Sequence, residues 1–423
     1  MSARPSSALP TSPRDVAVVG AGMVGLATAW FLQESGAQVT VYERTRVAGG
    51  ASWGNAGWLT PSLTAPLPEP AVLRYGLRAV LSPRSPVYLP LRADPELLRF
   101  LVSFVRHSTP RRWREGMAAY VALNERALPA FDVLAAGGVT APTHRAAPFL
   151  AAYRSPRERD ALVAELRAIR DAGQKAVDFD LLTGDQARAQ EPALTESVDA
   201  AVQVYGQRFL HPPEYVRSLA FAVEQQGGRV VEGRAVDDLR DDRDGVALTT
   251  ADGVHRHDAV VVATGAWLPS LTRRFGVRQP VQAGRGYSFS VPAERMPAGP
   301  VYFPRERVAC TPLGGRLRIA GMMEFRRPDE PLDPRRVTAI TDAVRPLLSG
   351  VDLDDRRNEW VGSRPCTADG LPLLGGTTSP RVFVAGGHGM WGIALGPVTG
   401  MLMAQTVLKG EAPPELRAFD PLR

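Results

Sequence analysis

Lysine and cysteine are almost missing from this chain of 423 residues: Lys175 and Lys409 are the only lysines, and Cys310 and Cys366 the only cysteines. Two cysteines so far apart exclude a disulfide framework and a thiolate metal cluster, and they fit a reducing compartment, so both read as small buried residues. With lysine scarce, arginine supplies nearly all of the positive charge. The net charge of +6 and the pI near 9.6 would suit nucleic acid if the cations formed a block, but acids and bases alternate along the chain. No nucleic-acid partner is expected; scattered arginines suit anionic substrates or peripheral contact with a membrane surface. Long uncharged runs are also scarce. Residues 382–408 carry no Asp, Glu, Lys or Arg, but they hold six glycines and Pro397. They read as a buried strand, Arg381 to Ala385, and a buried helix, Ile393 to Leu408, with no membrane span. Met1 to Arg14 is rich in Ser, Pro and Ala and lacks the apolar core of a signal peptide, so it reads as a disordered arm. A cytoplasmic location is expected, with peripheral contact at the inner face of the membrane left open.

What is present is glycine, in two signatures at opposite ends of the chain. Near the N-terminus the apolar run Asp15 to Val19 enters Gly20-Ala21-Gly22-Met23-Val24-Gly25, and Leu26 to Leu32 continues as a helix that Gly36 stops. A second apolar run, Gln38 to Tyr42, delivers Glu43 about 20 residues after the first glycine, the spacing of a βαβ dinucleotide unit. Each residue has a physical task. Gly20 permits the tight turn, Gly22 lets backbone N–H groups approach a pyrophosphate at the helix N-terminus, Gly25 allows helix and strand to pack closely, and Glu43 accepts hydrogen bonds from ribose hydroxyls. The alternative, a glycine-rich turn that binds nothing, does not account for strand, helix, second strand and terminal acid all in register.

Farther along, Ala48 to Gly57 is too rich in glycine for regular structure and suits close approach of backbone to a flat ligand. A short amphipathic piece spans Ala71 to Leu81. Asp94-Pro95-Glu96 opens a helix whose apolar stripe is Leu97, Leu98, Leu101, Val102 and Val105, and a long helix runs from about Arg111 to Leu134. Helices are also expected over Ala161 to Ile169 and Glu214 to Gln226. From Arg229 the hydrophobic period shifts towards two, with strands at 229–232, 246–249 and 259–262, the last running into Ala263-Thr264-Gly265-Ala266-Trp267. Short strands between Gln279 and Glu324 suggest a mixed sheet walling a pocket. The second glycine signature, Gly362-Ser363-Arg364-Pro365 and Gly386-Gly387-His388-Gly389, closes the chain.

These motifs, together with Gly49-Gly50-Ala51-Ser52, Trp53-Gly54-Asn55-Ala56-Gly57, Asp369-Gly370-Leu371-Pro372 and Gly286-Tyr287-Ser288, resemble the FAD-dependent amine and D-amino-acid oxidoreductases, and within them the bacterial D-amino-acid dehydrogenases. The resemblance covers nearly everything after Arg14. It implies an α/β fold of two domains: a discontinuous Rossmann-like FAD-binding domain over 15–65, 206–272 and 360–411, and an inserted substrate domain of mixed β-sheet and helices over 66–205 and 273–359. It implies non-covalent FAD, since the flavin-tethering cysteine of some sarcosine oxidases falls where this chain has Gly362. Cofactor contacts are expected at Gly20, Gly22, Met23, Val24, Gly25, Glu43, Arg44, Gly50, Ala51, Ser52, Asn55, Ala56, Gly57, Val236, Thr264, Gly265, Trp267, Gly389, Met390, Gly392 and Ile393. Ser52 to Gly57 would line the flavin, and the backbone near Gly389 to Ile393 would face its pyrimidine edge.

Three residues carry the expected substrate chemistry. Arg364 resembles the family's carboxylate anchor, because a planar guanidinium grips a carboxylate bidentately and so aims Cα–H; a structural arginine in an ion pair is the alternative. Tyr287 either adds a hydroxyl to the same site or packs in the wall sheet. His388 is a general base or, in a tight glycine turn, a positioning residue. The implied reaction is oxidative deamination of a small amino acid, a D-amino acid by resemblance, with electrons passing to a quinone-like acceptor or oxygen. A glycine, sarcosine or hydroxyproline oxidoreductase on the same fold is the near alternative, and a non-catalytic nucleotide-binding subunit the distant one.

Overall fold

The computed structural model of the chain describes residues 12–69, 85–89 and 94–423. Most of the expected N-terminal arm and the amphipathic piece Ala71 to Leu81 lie outside the described residues. The end of that arm is tied down: the Ser12 hydroxyl donates to the Leu408 carbonyl at 2.9 Å and the Arg14 N–H to Asp258 at 2.8 Å.

One sheet orders six strands as Arg229–Val231, Gln38–Tyr42, Asp15–Val19, Ala259–Val262, Val382–Gly386 and Leu373–Gly376. All neighbours are parallel except the last, antiparallel pair. The central strand Asp15–Val19 is apolar without alternation because both of its faces are covered. Val16 and Val18 join the core of helix Met23–Glu34, while Ala17 and Val19 pack against Leu239, Val246 and Leu248 of a small antiparallel sheet. The uncharged C-terminal run is strand Val382–Gly386 and helix Gly392–Lys409, and no described helix is long and apolar enough to cross a membrane. It is glycine-rich for packing reasons: a Cβ at Gly400 would lie 2.5 Å from the Ala27 backbone, and one at Gly396 2.4 Å from the Met23 side chain.

The second sheet runs Arg357–Thr367, Val281–Val291, Arg316–Phe325, Val308–Leu313, Val301–Phe303, Leu150–Tyr153, Ala200–Val204 and Phe179–Thr183, with Val87–Tyr88 beside Arg316–Phe325. It mixes parallel and antiparallel pairs. The expected domain boundary at 360 falls inside Arg357–Thr367, which pairs with Val281–Val291 from Arg357 through to Thr367, so this strand belongs to the second sheet.

The expected apolar stripe of helix Pro95–His107 is corrected in part: its Leu97 and Leu101 do pack against the core. Leu97, Phe100 and Phe104 are the buried face, against Phe325, whereas Leu98, Val102 and Val105 are 63%, 44% and 48% exposed. The two phenylalanines bury more apolar area than the smaller residues of the competing stripe, and they decide which face turns inward.

Candidate active site

A cavity of about 510 Å³ opens at the carboxyl ends of Asp15–Val19 and Ala259–Val262 and extends to the second sheet. Such crevices are where parallel α/β sheets bind ligands. At its near end the three glycines divide by cause. Gly20 has φ +112°, and a Cβ there would lie 2.6 Å from the Ala263 carbonyl oxygen; one at Gly25 would lie 2.0 Å from that of Gly20. The chain's own packing therefore requires both, and Gly25 does not line the cavity. At Gly22 a Cβ would meet only the Ser52 hydroxyl, at 3.3 Å. The space above Gly22 is kept open by the protein and is bordered by the N-terminus of helix Met23–Glu34.

Ser52 itself accepts a hydrogen bond from the Met23 N–H at 3.2 Å. Ser52, expected to line a flavin, lines the cavity with its hydroxyl at the helix N-terminus. Glu43 is held by three donors, the Ala21 N–H at 2.9 Å on one oxygen, and the Thr45 N–H at 2.9 Å and hydroxyl at 3.1 Å on the other. Met23, Val24, Arg44, Gly50, Ala51, Asn55, Val236, Thr264, Gly265 and Trp267 also line the cavity. Ala56 and Gly57 do not. Gly57 shapes the loop instead: its N–H donates to Asn55 at 2.8 Å, and with φ +79° a Cβ there would lie 2.1 Å from the Leu210 carbonyl oxygen.

One wall was not foreseen. Pro328, Asp329 and Glu330 border the cavity, and Asp329 accepts from the Trp267 indole at 2.9 Å and pairs with Arg44 at 3.4 Å. The Arg44 guanidinium lies 3.6 Å from the centre of the Trp267 ring. Thr45 was also missed. The available signal was the indole N–H of Trp267, which needs an acceptor when it is part of a wall.

At the far end, Arg364 lines the cavity with Gly389, Met390, Gly392 and Ile393. Its guanidinium donates to the Met322 carbonyl at 2.8 Å, and no carboxylate pairs with it among the described residues. Burial lowers its pKa, and an arginine keeps its charge regardless. His388 is 2% exposed, bonds Thr399 at 2.9 Å, and is pulled down by burial to about 4, so its imidazole is neutral at pH 7. That suits a positioning residue better than a base, which needs a pKa near the operating pH. Cys366 is buried and its thiol pushed up to about 11 by that burial, and Cys310 is buried too.

Of its two expected places, Tyr287 takes the one in the wall sheet. It does not line the cavity; its hydroxyl donates to fully buried Glu324 at 2.6 Å, and burial followed by that bond raises its pKa. A phenol flanked by a buried carboxylate is drawn to that acceptor, leaving it in the wall of the sheet.

A doubly covered parallel sheet, a dinucleotide turn and a cavity that ends on a guanidinium with no carboxylate partner among the described residues define an α/β nucleotide-dependent enzyme. The chain belongs to the FAD dependent oxidoreductase family, DAO, whose model matches residues 15–406. It is 31% identical to a D-amino acid dehydrogenase of Cereibacter sphaeroides, over 96% of this chain and 94% of that protein. With a D-amino acid dehydrogenase of Methylobacterium radiotolerans the identity is 32%, over 94% and 96%. A glycine oxidase from Geobacillus kaustophilus is 25% identical, with TM-score 0.72 over 98% of this chain and 99% of that one. The L-proline dehydrogenase from P.horikoshii shares the fold, at 17% identity and TM-score 0.67 over 98% of both.

Proposed function

We propose that this protein oxidises a small amino acid, a D-amino acid, at Cα. The observation that carries this reading is Arg364, a guanidinium lining a dinucleotide cavity with no carboxylate partner among the described residues. An uncompensated cation beside a cofactor site suits an anionic substrate, and the D-amino acid dehydrogenase relatives support the class.

FAD fits the cavity: an open space over Gly22 at a helix N-terminus, a carboxylate at Glu43 pre-set by three donors, and room reaching to Arg364. When bound, it supplies the acceptor for the hydrogen of Cα and its two electrons. Gly20, Gly22, Met23, Val24 and Ser52 would hold the pyrophosphate; Glu43, Arg44 and Val236 the adenosine; Gly50, Ala51, Asn55, Thr264, Gly265 and Trp267 the walls. Gly389, Met390, Gly392 and Ile393 would face the pyrimidine edge, where the start of helix Gly392–Lys409 offers N–H dipoles to negative charge. Arg364 orients the carboxylate, which fixes the direction of Cα–H. His388, neutral, holds the turn through Thr399. The amine loses a proton as Cα loses hydride, and water then converts the imino acid to a 2-oxo acid and ammonium. The cofactor is held non-covalently, so acid denaturation should release it to the supernatant. Electrons leave to a quinone-like acceptor, and rapid, saturating reoxidation by oxygen alone would argue for an oxidase.

The likeness to a glycine oxidase supports a second reading, a glycine, sarcosine or hydroxyproline oxidoreductase. An anaerobic screen of flavin bleaching over both enantiomers of the common amino acids, with these three, separates the readings. Bleaching by a D-amino acid is expected; a flavin that no amino acid bleaches would mean a non-catalytic nucleotide-binding subunit.

A further inference from the structure

We propose that a β-bulge at Met322 and Met323, opposite Gly286, is the device that aims Arg364; this rests on the reading of Arg364 as carboxylate anchor. Strands Val281–Val291 and Arg316–Phe325 pair with Gly284 opposite Phe325 and Arg285 opposite Glu324, then slip so that Tyr287 faces Gly321. Gly286 is thereby left against two residues, the arrangement that bends a strand and re-aims what it carries.

Met322 adopts φ +68°, a region that residues other than glycine seldom occupy, and the Met323 N–H donates to the Pro86 carbonyl at 2.7 Å, on the side of strand Val87–Tyr88. The Met322 carbonyl accepts from Arg364 Nη1 at 2.8 Å. Gly286 provides the other half of the mount. A Cβ there would lie 2.1 Å from Arg364 Nη2 and 2.2 Å from Cζ, so the guanidinium occupies the volume that any side chain would take. Backbone strain of this kind persists where the surroundings over-determine it, and it gathers at sites. The choice of acceptor matters as much as the geometry. A carbonyl fixes the guanidinium without neutralising it, whereas a carboxylate would have fixed it and cancelled the charge that a substrate must find. Met322 and Gly286 are positioning residues: they act through Arg364.

The test titrates pyruvate, which carries the carboxylate but no oxidisable Cα–H, into the FAD-loaded protein and follows flavin absorbance. Gly286→Ala should bind pyruvate about tenfold more weakly while keeping its flavin, and the same change in an Arg364→Ala background should cost nothing more. Wild-type affinity in Gly286→Ala, or an equal loss in both backgrounds, overturns the proposal. Undiminished affinity in Arg364→Ala alone would instead overturn the anchor reading. If Gly286→Ala does not fold, Met322 decides. Glycine takes φ +68° freely and valine resists it, so Met322→Gly should bind pyruvate about fivefold more tightly than Met322→Val. Equal affinities in those two variants contradict the bulge as the aiming device.

Discussion

Two neighbouring arginines, Arg285 and Arg364, sit on adjacent strands of one sheet, and their surroundings differ in one respect that sorts structure from function. Arg285 is 1% exposed and meets Glu324 at 3.5 Å, together with Arg326 at 2.9 Å and Arg336 at 3.4 Å from the same carboxylate. Tyr287 closes this cluster. Arg364 stands one residue past Ser363, the register partner of Arg285, and so projects to the other face, beside Gly284, Gly286, Met323 and Cys366, where no carboxylate pairs with it among the described residues. A buried cation surrounded by a carboxylate and carbonyls is a fixture of the fold. Arg364 is half-buried in the cavity wall, and among the described residues its oxygen partner is a carbonyl, which leaves its charge uncancelled.

Glu324 is where the surroundings of the two arginines differ most. Arg326 also pairs with Glu330 at 3.1 Å, but Arg285 meets no other carboxylate among the described residues, so Glu324→Ala leaves that buried charge uncompensated and should lose about 3–5 kcal/mol of stability, read from denaturant unfolding of the purified holoprotein. A loss below about 1 kcal/mol would mean that the cluster is solvated and the contrast with Arg364 is false.

His388 sharpens the same contrast through pH. Its folded pKa of about 4 lies below its ordinary 6.5, so the unfolded chain takes up the proton first. His388 therefore costs no stability above pH 6.5 and an increasing amount as pH falls from 6.5 towards 4, up to about 3 kcal/mol. His388→Gln should lose less stability than wild type between pH 7.5 and 5 in parallel urea titrations, and identical pH dependence would remove this account of the histidine.

Legibility in the sequence followed the locality of the physics. The dinucleotide turn was readable because Gly20, Gly25 and Glu43 answer to steric and hydrogen-bonding demands within one short βαβ unit. The buried C-terminal helix was readable from its missing charge. Tyr287 was not, because its partner Glu324 arrives from another strand. The wall at Pro328 to Glu330 looks like any charged, proline-bearing surface loop until Trp267 and Arg44 are brought against it. The stripe on Pro95–His107 failed in part for a simpler reason: Leu98, Val102 and Val105 have helical spacing, and so do Leu97, Phe100 and Phe104 on a competing face. Spacing identifies a helix, and the surroundings choose its inner side.

Arg364, which no carboxylate pairs with among the described residues, is proposed to hold the substrate carboxylate. The most direct measurement is anaerobic stopped-flow reduction of the FAD-loaded protein by its best amino acid, comparing wild type, Arg364→Ala and Arg364→Lys. Arg364→Ala should keep its flavin and lose a charge-assisted bond of about 1.5–3 kcal/mol, a drop of roughly 10- to 100-fold in the second-order rate of reduction, with lysine restoring part of it. Reduction of Arg364→Ala at the wild-type rate and half-saturating concentration, with flavin still bound, would contradict the account.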